Sequence, residues 1–360
     1  MKTTYKYTLL KNLVAAIAAT VLTASLAADE PRVFTVDNTG GPHADFTDLQ
    51  EAMDAAEDGD IFHVLGSPIH YGGITVTRQV HLFGPGYNLA RVHEEGYQNF
   101  HEATLGQVDF TAREEEVGDT TVTFSSANSS ISGLRTGRIT IRTSDVTVQH
   151  NYVTGGPIRS ETISVDGVVF RAHRAHVRQN FVTGLMAGTG GIQLDDANAL
   201  GSMILNNITR NEILANNAVV RNNITGRTSR FQNSTVENNI INALSVSTRE
   251  SQLNNNLFFQ ERPDDNDFLA ENFVADNQWN VDESLVFTET GAFDEQYELA
   301  ENSPGREAGV GGVDVGPFDG PFPYEISGVP SLPRVKIMAP GPFLVSPNSD
   351  LTIPVKIKVD

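Results

Sequence analysis

The sequence predicts an all-β protein built as a right-handed parallel β-helix, a single-stranded solenoid with a short N-terminal capping helix and a Pro-rich C-terminal tail. Three observations predict it. An Asn-centred strand motif recurs through the middle of the chain, its spacing settles at one solenoid turn, and the residues between the asparagines are strand formers with no helical periodicity.

The motif runs VTVQHNYVTG at 146–155, AHVRQNFVTG at 175–184, then SMILNNITRN, AVVRNNITGR, STVENNIINA and SQLNNNLFFQ. Aligning the asparagine before the large apolar residue gives Asn151, Asn180, Asn207, Asn223, Asn239 and Asn256, in steps of 29, 27, 16, 16 and 17 residues. The apolar residue three positions earlier (Val148, Val177, Ile204, Val220, Val236, Leu253) is expected to point inward, and so is the one that follows (Tyr152, Phe181, Ile208, Ile224, Ile240, Leu257). The asparagine itself belongs at the corner. It tolerates left-handed backbone, and its amide can bond to the same amide in the next coil.

Two coils are longer than the basic repeat. The extra length is expected after each VTG, in 155–167 and 184–198, with both insertions leaving by one edge, where solenoids commonly carry function. Ahead of the repeat, TDLQEAMDAAEDGD reads as a lid helix. Thr47 and Gln50 form its capping box, Leu49, Met53 and Ala56 line one face, and Gly59 ends it. Strands follow in IFHVLG and GITVTRQVHLFG.

Residues 1–28 carry lysines, an apolar stretch and small residues before Asp29, the pattern of a secretory signal peptide. The predicted organisation is therefore a signal peptide at 1–28, a β-helix at 29–327 and a Pro-rich tail with a terminal strand at 328–360. The expected location is secreted or cell-surface, with no transmembrane segment in the mature chain. Without Lys2, Lys6 and Lys11 the chain keeps 22 basic and 45 acidic side chains, a net charge of −23. Such a surface repels nucleic acid, and it disfavours a polyanionic ligand unless calcium or a local arginine cluster screens the repulsion. There is no cysteine, so the core and the backbone ladder must supply the stability.

The blocks VDNTGGPHADF, LQEAMDAAEDGDIFHVLG and ITVTRQVHLFGPGY, followed by FSSANSSISGL and the Asn repeat, resemble the pectin-lyase-like superfamily. SPGREAG and DVGPFDGPFPYEISGVPSLP resemble the ends of secreted parallel β-helix proteins of Bacteroidota type. The resemblance implies the solenoid fold and admits lyases, hydrolases, esterases, epimerases and inert scaffolds alike. Lyases of this kind with a lysine base are disfavoured, because no lysine lies between Lys11 and Lys336. The hydrolase, esterase and epimerase motifs that the resemblance would imply are incomplete or missing.

Pectate-lyase-type chemistry, by the same resemblance, needs an arginine base and acidic calcium ligands. The densest cationic run, FRAHRAHVRQN, offers Arg171, Arg174, Arg178 and His176, with His176 and Arg178 sharing an outward strand face. Asp195 and Asp196 suit a calcium ion or a carboxylate pair. No cofactor is otherwise required. Tyr97 and Phe100 offer rings for stacking on sugars. The column through Arg178 continues as Gln149, Leu205, Arg221, Glu237 and Asn254, which shows no single chemistry.

The expected function is a secreted or cell-surface β-helix, non-catalytic, that binds extracellular or envelope polysaccharide through the edge bearing the insertions. The alternatives are a divergent polysaccharide lyase acting on a uronate-containing glycan and a structural surface or filament component.

Overall fold

In a computed structural model, the structure describes residues 30–87, 104–105, 121–184, 190–264, 266–291, 293–328, 334–337 and 355–358. The chain divides into two units, residues 1–32 and 33–360, and the second holds the solenoid. Residues 1–28, where a signal peptide is expected, lie outside the described residues, as do Tyr97 and Phe100. Among the described residues, no helix is long and apolar enough to cross a membrane.

Strands of successive coils pair in parallel to form an 11-stranded sheet, face A, and a 14-stranded sheet that bends into faces B and C. The continuous strand Ile224–Gln232 belongs to both B and C. Each coil runs from B through A to C. The fold is a parallel β-helix.

Register on face A follows the alignment predicted from the repeat. Val148, Val177, Ile204, Val220, Val236 and Leu253 pair in turn, and all six are fully buried. Strands stacked about 4.8 Å apart bring like residues into contact, so each coil fills the core with the same side chain as its neighbour. The helix Leu49–Asp54 caps the first coil and buries Leu49, Ala52 and Met53. Its N-cap is Asp48, whose carboxylate accepts from Glu51 N at 2.8 Å, one residue later than the expected Thr47. Gln50 is not part of a capping box. It accepts from Thr75 N at 2.8 Å and ties the helix to the first coils. Gly59 has a φ of +100° and turns the chain into strand Asp60–Val64, while Ala55 is the C-cap.

The corner between faces A and C divides two tasks that the sequence assigns to one residue. The left-handed backbone belongs to the residue before each aligned asparagine: His150, Gln179, Asn206, Asn222, Asn238 and Asn255, with φ between 52° and 57°. The aligned asparagines form a buried ladder. Asn180 Nδ2 donates to Asn207 Oδ1 at 3.0 Å, and Asn207 to Asn223, Asn223 to Asn239 and Asn239 to Asn256 at 2.9 Å each. The ladder starts one coil earlier at Asn151 and ends at Asn277. The same Oδ1 atoms also accept a backbone N–H, and the Nδ2 groups reach nearby carbonyls, so the buried amides are satisfied.

The second inward set is a correction. Phe181, Ile208, Ile224, Ile240 and Leu257 point away from the solenoid interior, and they are buried by a different cluster with Val286, Phe287, Leu299, Val315 and Tyr324. Their neighbours Val153, Val182, Ile241 and Phe258 fill the interior instead. Residues 281–328 supply the cover by running back over face C toward the first coils. The path is hooked coil by coil. Gln278 donates to Pro304 O at 2.9 Å, Asn255 to Ala308 O at 3.1 Å, Asn222 to Gly316 O at 3.2 Å, Asn206 to Pro317 O at 2.8 Å and Gln179 to Pro323 O at 2.7 Å. Apart from Gln278, these docking hooks of the return segment are the corner residues with left-handed backbone.

At its far end Tyr324 bonds to Tyr87 and donates to Asp294 at 3.3 Å, all three buried. Gly328, at φ +53°, lies where any side chain would collide with the Tyr87 ring. Beyond it, strands Arg334–Ile337 and Val355–Lys358 pair antiparallel, so the expected terminal strand is present and has a partner.

Candidate functional site

The two long coils expand only partly where the sequence suggests. Ile158–Ser160, inside the first expected insertion, is a regular face B strand paired with Ile192 and Gln193. The added length follows it as an antiparallel hairpin, Ile163–Val165 with Val168–Phe170, raised at the corner between B and A. The second expected insertion likewise contains a coil strand, Ile192–Leu194, paired with Ile213–Ala215. Among its described residues, 195–201 form the B-to-A turn, on the same edge as the hairpin.

The hairpin exposes Val165, Val168, Val169 and Phe170, between 41% and 56% accessible. They are four exposed apolar side chains gathered on one short sheet, whereas exposed apolar residues elsewhere, such as Val246 and Leu285, are scattered.

The cationic run splits across two surfaces. His176 and Arg178 stand on the outward side of face A around buried Val177, as strand alternation requires. Arg178 Nε donates to Gln149 Oε1 at 2.8 Å, its guanidinium lies 4.8 Å from the Phe322 ring of the return segment, and burial lowers its pKa. The pKa of His176 is lowered by burial and by Arg178, against a smaller opposing pull from Asp145. Arg171 and Arg174 lie at the B-to-A corner. Arg174 clamps Asp145 at 2.5 and 2.7 Å, and that bond holds the Asp145 carboxyl below its usual range.

Asp195 and Asp196 separate as well. Asp195 pairs with Arg230 at 3.1 Å and Asp196 with Arg171 at 3.3 Å. Burial pushes the Asp196 carboxyl up, but the Thr162 hydroxyl, Asn198 N–H and Arg171 together hold it low. Each carboxylate is engaged by its own arginine. Among the described residues no group of three His, Cys, Asp or Glu side chains is arranged to hold a metal ion, so no third carboxylate or imidazole joins Asp195 and Asp196 there. The column Gln149, Arg178, Leu205, Arg221, Glu237 and Asn254 is in register as predicted, and it is internally paired by Arg221 and Glu237 at 2.8 Å.

Face B carries a group that the sequence reading missed. Arg138 and Thr140 alternate along the strand Arg138–Ile141, with Arg142 just past its end, while Ile139 and Ile141 are buried in the core. Arg159 sits across from Thr140 in the next coil. The available signal was the period-two spacing in RITIR, with arginine at both outward ends. A cavity of about 260 Å³ lies elsewhere, within the return segment between Tyr297, Arg306, Asp314, Val315 and Phe318, and is lined by none of the predicted site residues.

No protein-family model matches the chain, and no curated protein matches it either. The functional reading therefore stands on the geometry.

Proposed function

We propose that this is a secreted or cell-surface β-helix, similar in plan to the pectin-lyase-like superfamily, that binds extracellular or envelope polysaccharide without chemically altering it. The observation that carries the reading is the exposed apolar hairpin beside the outward arginines of face B. Glu161, which pairs with Arg142 and Arg159, is separated only by Thr162 from the hairpin strand Ile163–Val165. Sugar rings present apolar C–H faces and polar edges, so an apolar ridge next to a rigid row of planar donors matches both.

The side chains proposed for lyase chemistry support this reading by their contacts. Arg171 and Arg174 are held by carboxylates, and Arg178 is held by Gln149 and Phe322. A lyase base must reach a substrate proton, which these partners oppose.

Glycan-array binding by the intact chain and by a Val168→Ser/Phe170→Ser variant tests the proposal. Selective binding that the variant loses is the expected result. An array with no selective binding overturns the reading, and unchanged binding by the variant removes the hairpin from the site. Deleting residues 184–198 would be a poor test, because it cuts coil strand Ile192–Leu194.

A further inference from the structure

We propose that the cavity in the return segment binds a protonated amino sugar, one hexose ring carrying an ammonium group. The site lies over face C, apart from the hairpin, and does not depend on the glycan-binding reading of the hairpin.

The cavity is small and firmly built. Its volume of about 260 Å³ falls just below the roughly 300–1,000 Å³ of pockets for drug-sized ligands, which suits a single ring rather than a stretch of chain. Pro317 and Asp319 are pinned to the coil beneath, their carbonyls accepting from Asn206 Nδ2 at 2.8 and 2.9 Å. Val315 N donates to Gly305 O at 2.8 Å. A lining fixed by such bonds costs a ligand little ordering.

Its charged groups are linked and reachable. Arg306 Nη1 donates to Asp314 Oδ2 at 2.6 Å, and Asp314 N donates to Asp319 Oδ2 at 2.9 Å. The Arg306 and Asp314 side chains remain 45% and 24% exposed. Hydrogen-bonding capacity is left over. Arg306 uses three of its five N–H groups, on Asp314 and on the Leu299 and Ala300 carbonyls. The oxygens of Asp314 accept one N–H each, from Glu307 N and Arg306, and those of Asp319 accept from Gly320 N and Asp314 N, so each carboxylate keeps about two lone-pair sites open. Glu298 also lines the cavity, and among the described residues its carboxylate has no hydrogen bond or ion pair.

Charge, hydrogen bonding and apolar surface together select the ligand. Glu298, Asp314 and Asp319 against Arg306 leave an excess of two negative charges, and Arg210, which donates to Tyr297 Oη at 3.1 Å, reduces it to one. A concave site focuses that field, and the net charge of −20 on the whole chain adds to it. A cation is favoured, and a uronate is repelled. That cation is not a metal ion, since among the described residues no group of three His, Cys, Asp or Glu side chains is arranged to hold one. The open carboxylate oxygens call for donors and the open guanidinium N–H groups for acceptors. Sugar hydroxyls supply both, whereas a bare ammonium ion or a polyamine brings donors alone. Tyr297 and Phe318 add aromatic surface for the C–H face of the ring. They are held in turn by Phe181 and Phe287 and by Tyr324.

NMR titration of the purified protein with the methyl glycosides of glucosamine, glucose and glucuronic acid, at mildly acidic pH where the amine is protonated, tests the site. The amine is expected to bind about tenfold tighter than glucose, and the uronate not to bind measurably. Glu298→Gln weakens the amine by about threefold or more and leaves glucose unchanged. Phe318→Leu weakens both, and Glu271→Gln, at a carboxylate outside the cavity that pairs with Arg249, changes neither. Thermal melting checks that each variant is folded, and Glu298→Gln removes no side-chain bond among the described residues, so its result stands even where Phe318→Leu fails to fold. A trimer of the amino sugar separates two sources of the ligand: binding as tight as the single unit assigns the cavity to the end of a chain, weaker binding to a free sugar, and either upholds the site. No binding of the amine overturns the proposal, as does equal affinity for glucose or the uronate, a Glu298→Gln variant that binds the amine as the parent does, or a Glu271→Gln loss as large as that of Glu298→Gln.

Discussion

Asn206 and Asn207 are adjacent in sequence, yet their side-chain amides serve opposite sides of the backbone. Asn207 donates into the buried ladder, to Asn223 at 2.9 Å, and Asn206 donates outward to Pro317 O of the return segment at 2.8 Å. The Asn-Asn pairs at 206–207, 222–223, 238–239 and 255–256 therefore couple the coil stack to its cover.

The two positions should respond differently to mutation. Asn223→Ala removes the acceptor for Asn207 N and Nδ2 and strands the Ile204 and Arg221 carbonyls, at a cost of about 3 kcal/mol or more. Asn206→Gly keeps the left-handed backbone at ease and loses the bonds to Pro317 and Asp319, at about 1–2 kcal/mol. Urea midpoints for the two variants check the order. A larger shift for Asn206→Gly would mean that the ladder is not the main support.

Removing the return segment should uncover an apolar stripe. A chain ending at residue 280 leaves Phe181, Ile208, Ile224, Ile240 and Leu257 without the side chains that bury them. It is expected to bind a hydrophobic dye and to self-associate, which fluorescence and sedimentation would detect. A monomeric, dye-silent truncation would show that face C needs no cover.

The Tyr87–Tyr324–Asp294 contact predicts alkaline loosening of the return segment. Burial, with the Asp294 charge, raises both phenol pKa values well above the ordinary 10.0. Folding therefore favours the protonated phenols. That contribution is complete below pH 10 and is lost as pH rises through the raised values, because the unfolded chain releases those protons first. Stability against urea should fall above pH 10, and Tyr324→Phe should flatten the fall. Equal slopes in both proteins would argue against the coupling.

Arg178 gives a further check on the lyase alternative. Arg178→Ala removes the bond to Gln149 and the contact with Phe322, so the expected loss is about 1–2 kcal/mol of stability. No change is expected in glycan binding. Release of unsaturated uronate ends by the intact protein, abolished in this variant, would instead establish a lyase.

Much of the architecture is set by the sequence itself. A repeat of 16 to 17 residues fixes the register of face A, because each coil must bury the same apolar residue and pair the same amide as its neighbours. Val148, Val177, Ile204 and the asparagines after them could hold their places in no other stacking. Tertiary structure alone decided what the short strands of face C do. Phe181–Val182 and Ile208–Thr209 are too brief for alternation to say which residue turns inward, and the answer depends on a Gly- and Pro-rich return segment with no periodicity to read. Ion pairing was equally hidden. Asp195 and Asp196 are neighbours in the chain, but coil stacking brings Arg230 to one and Arg171 to the other, and it brings Arg159 over Thr140 between Arg138 and Arg142. Local patterns repeated in every coil are legible because the solenoid enforces them; contacts made once, between distant segments, exist only after the chain has folded.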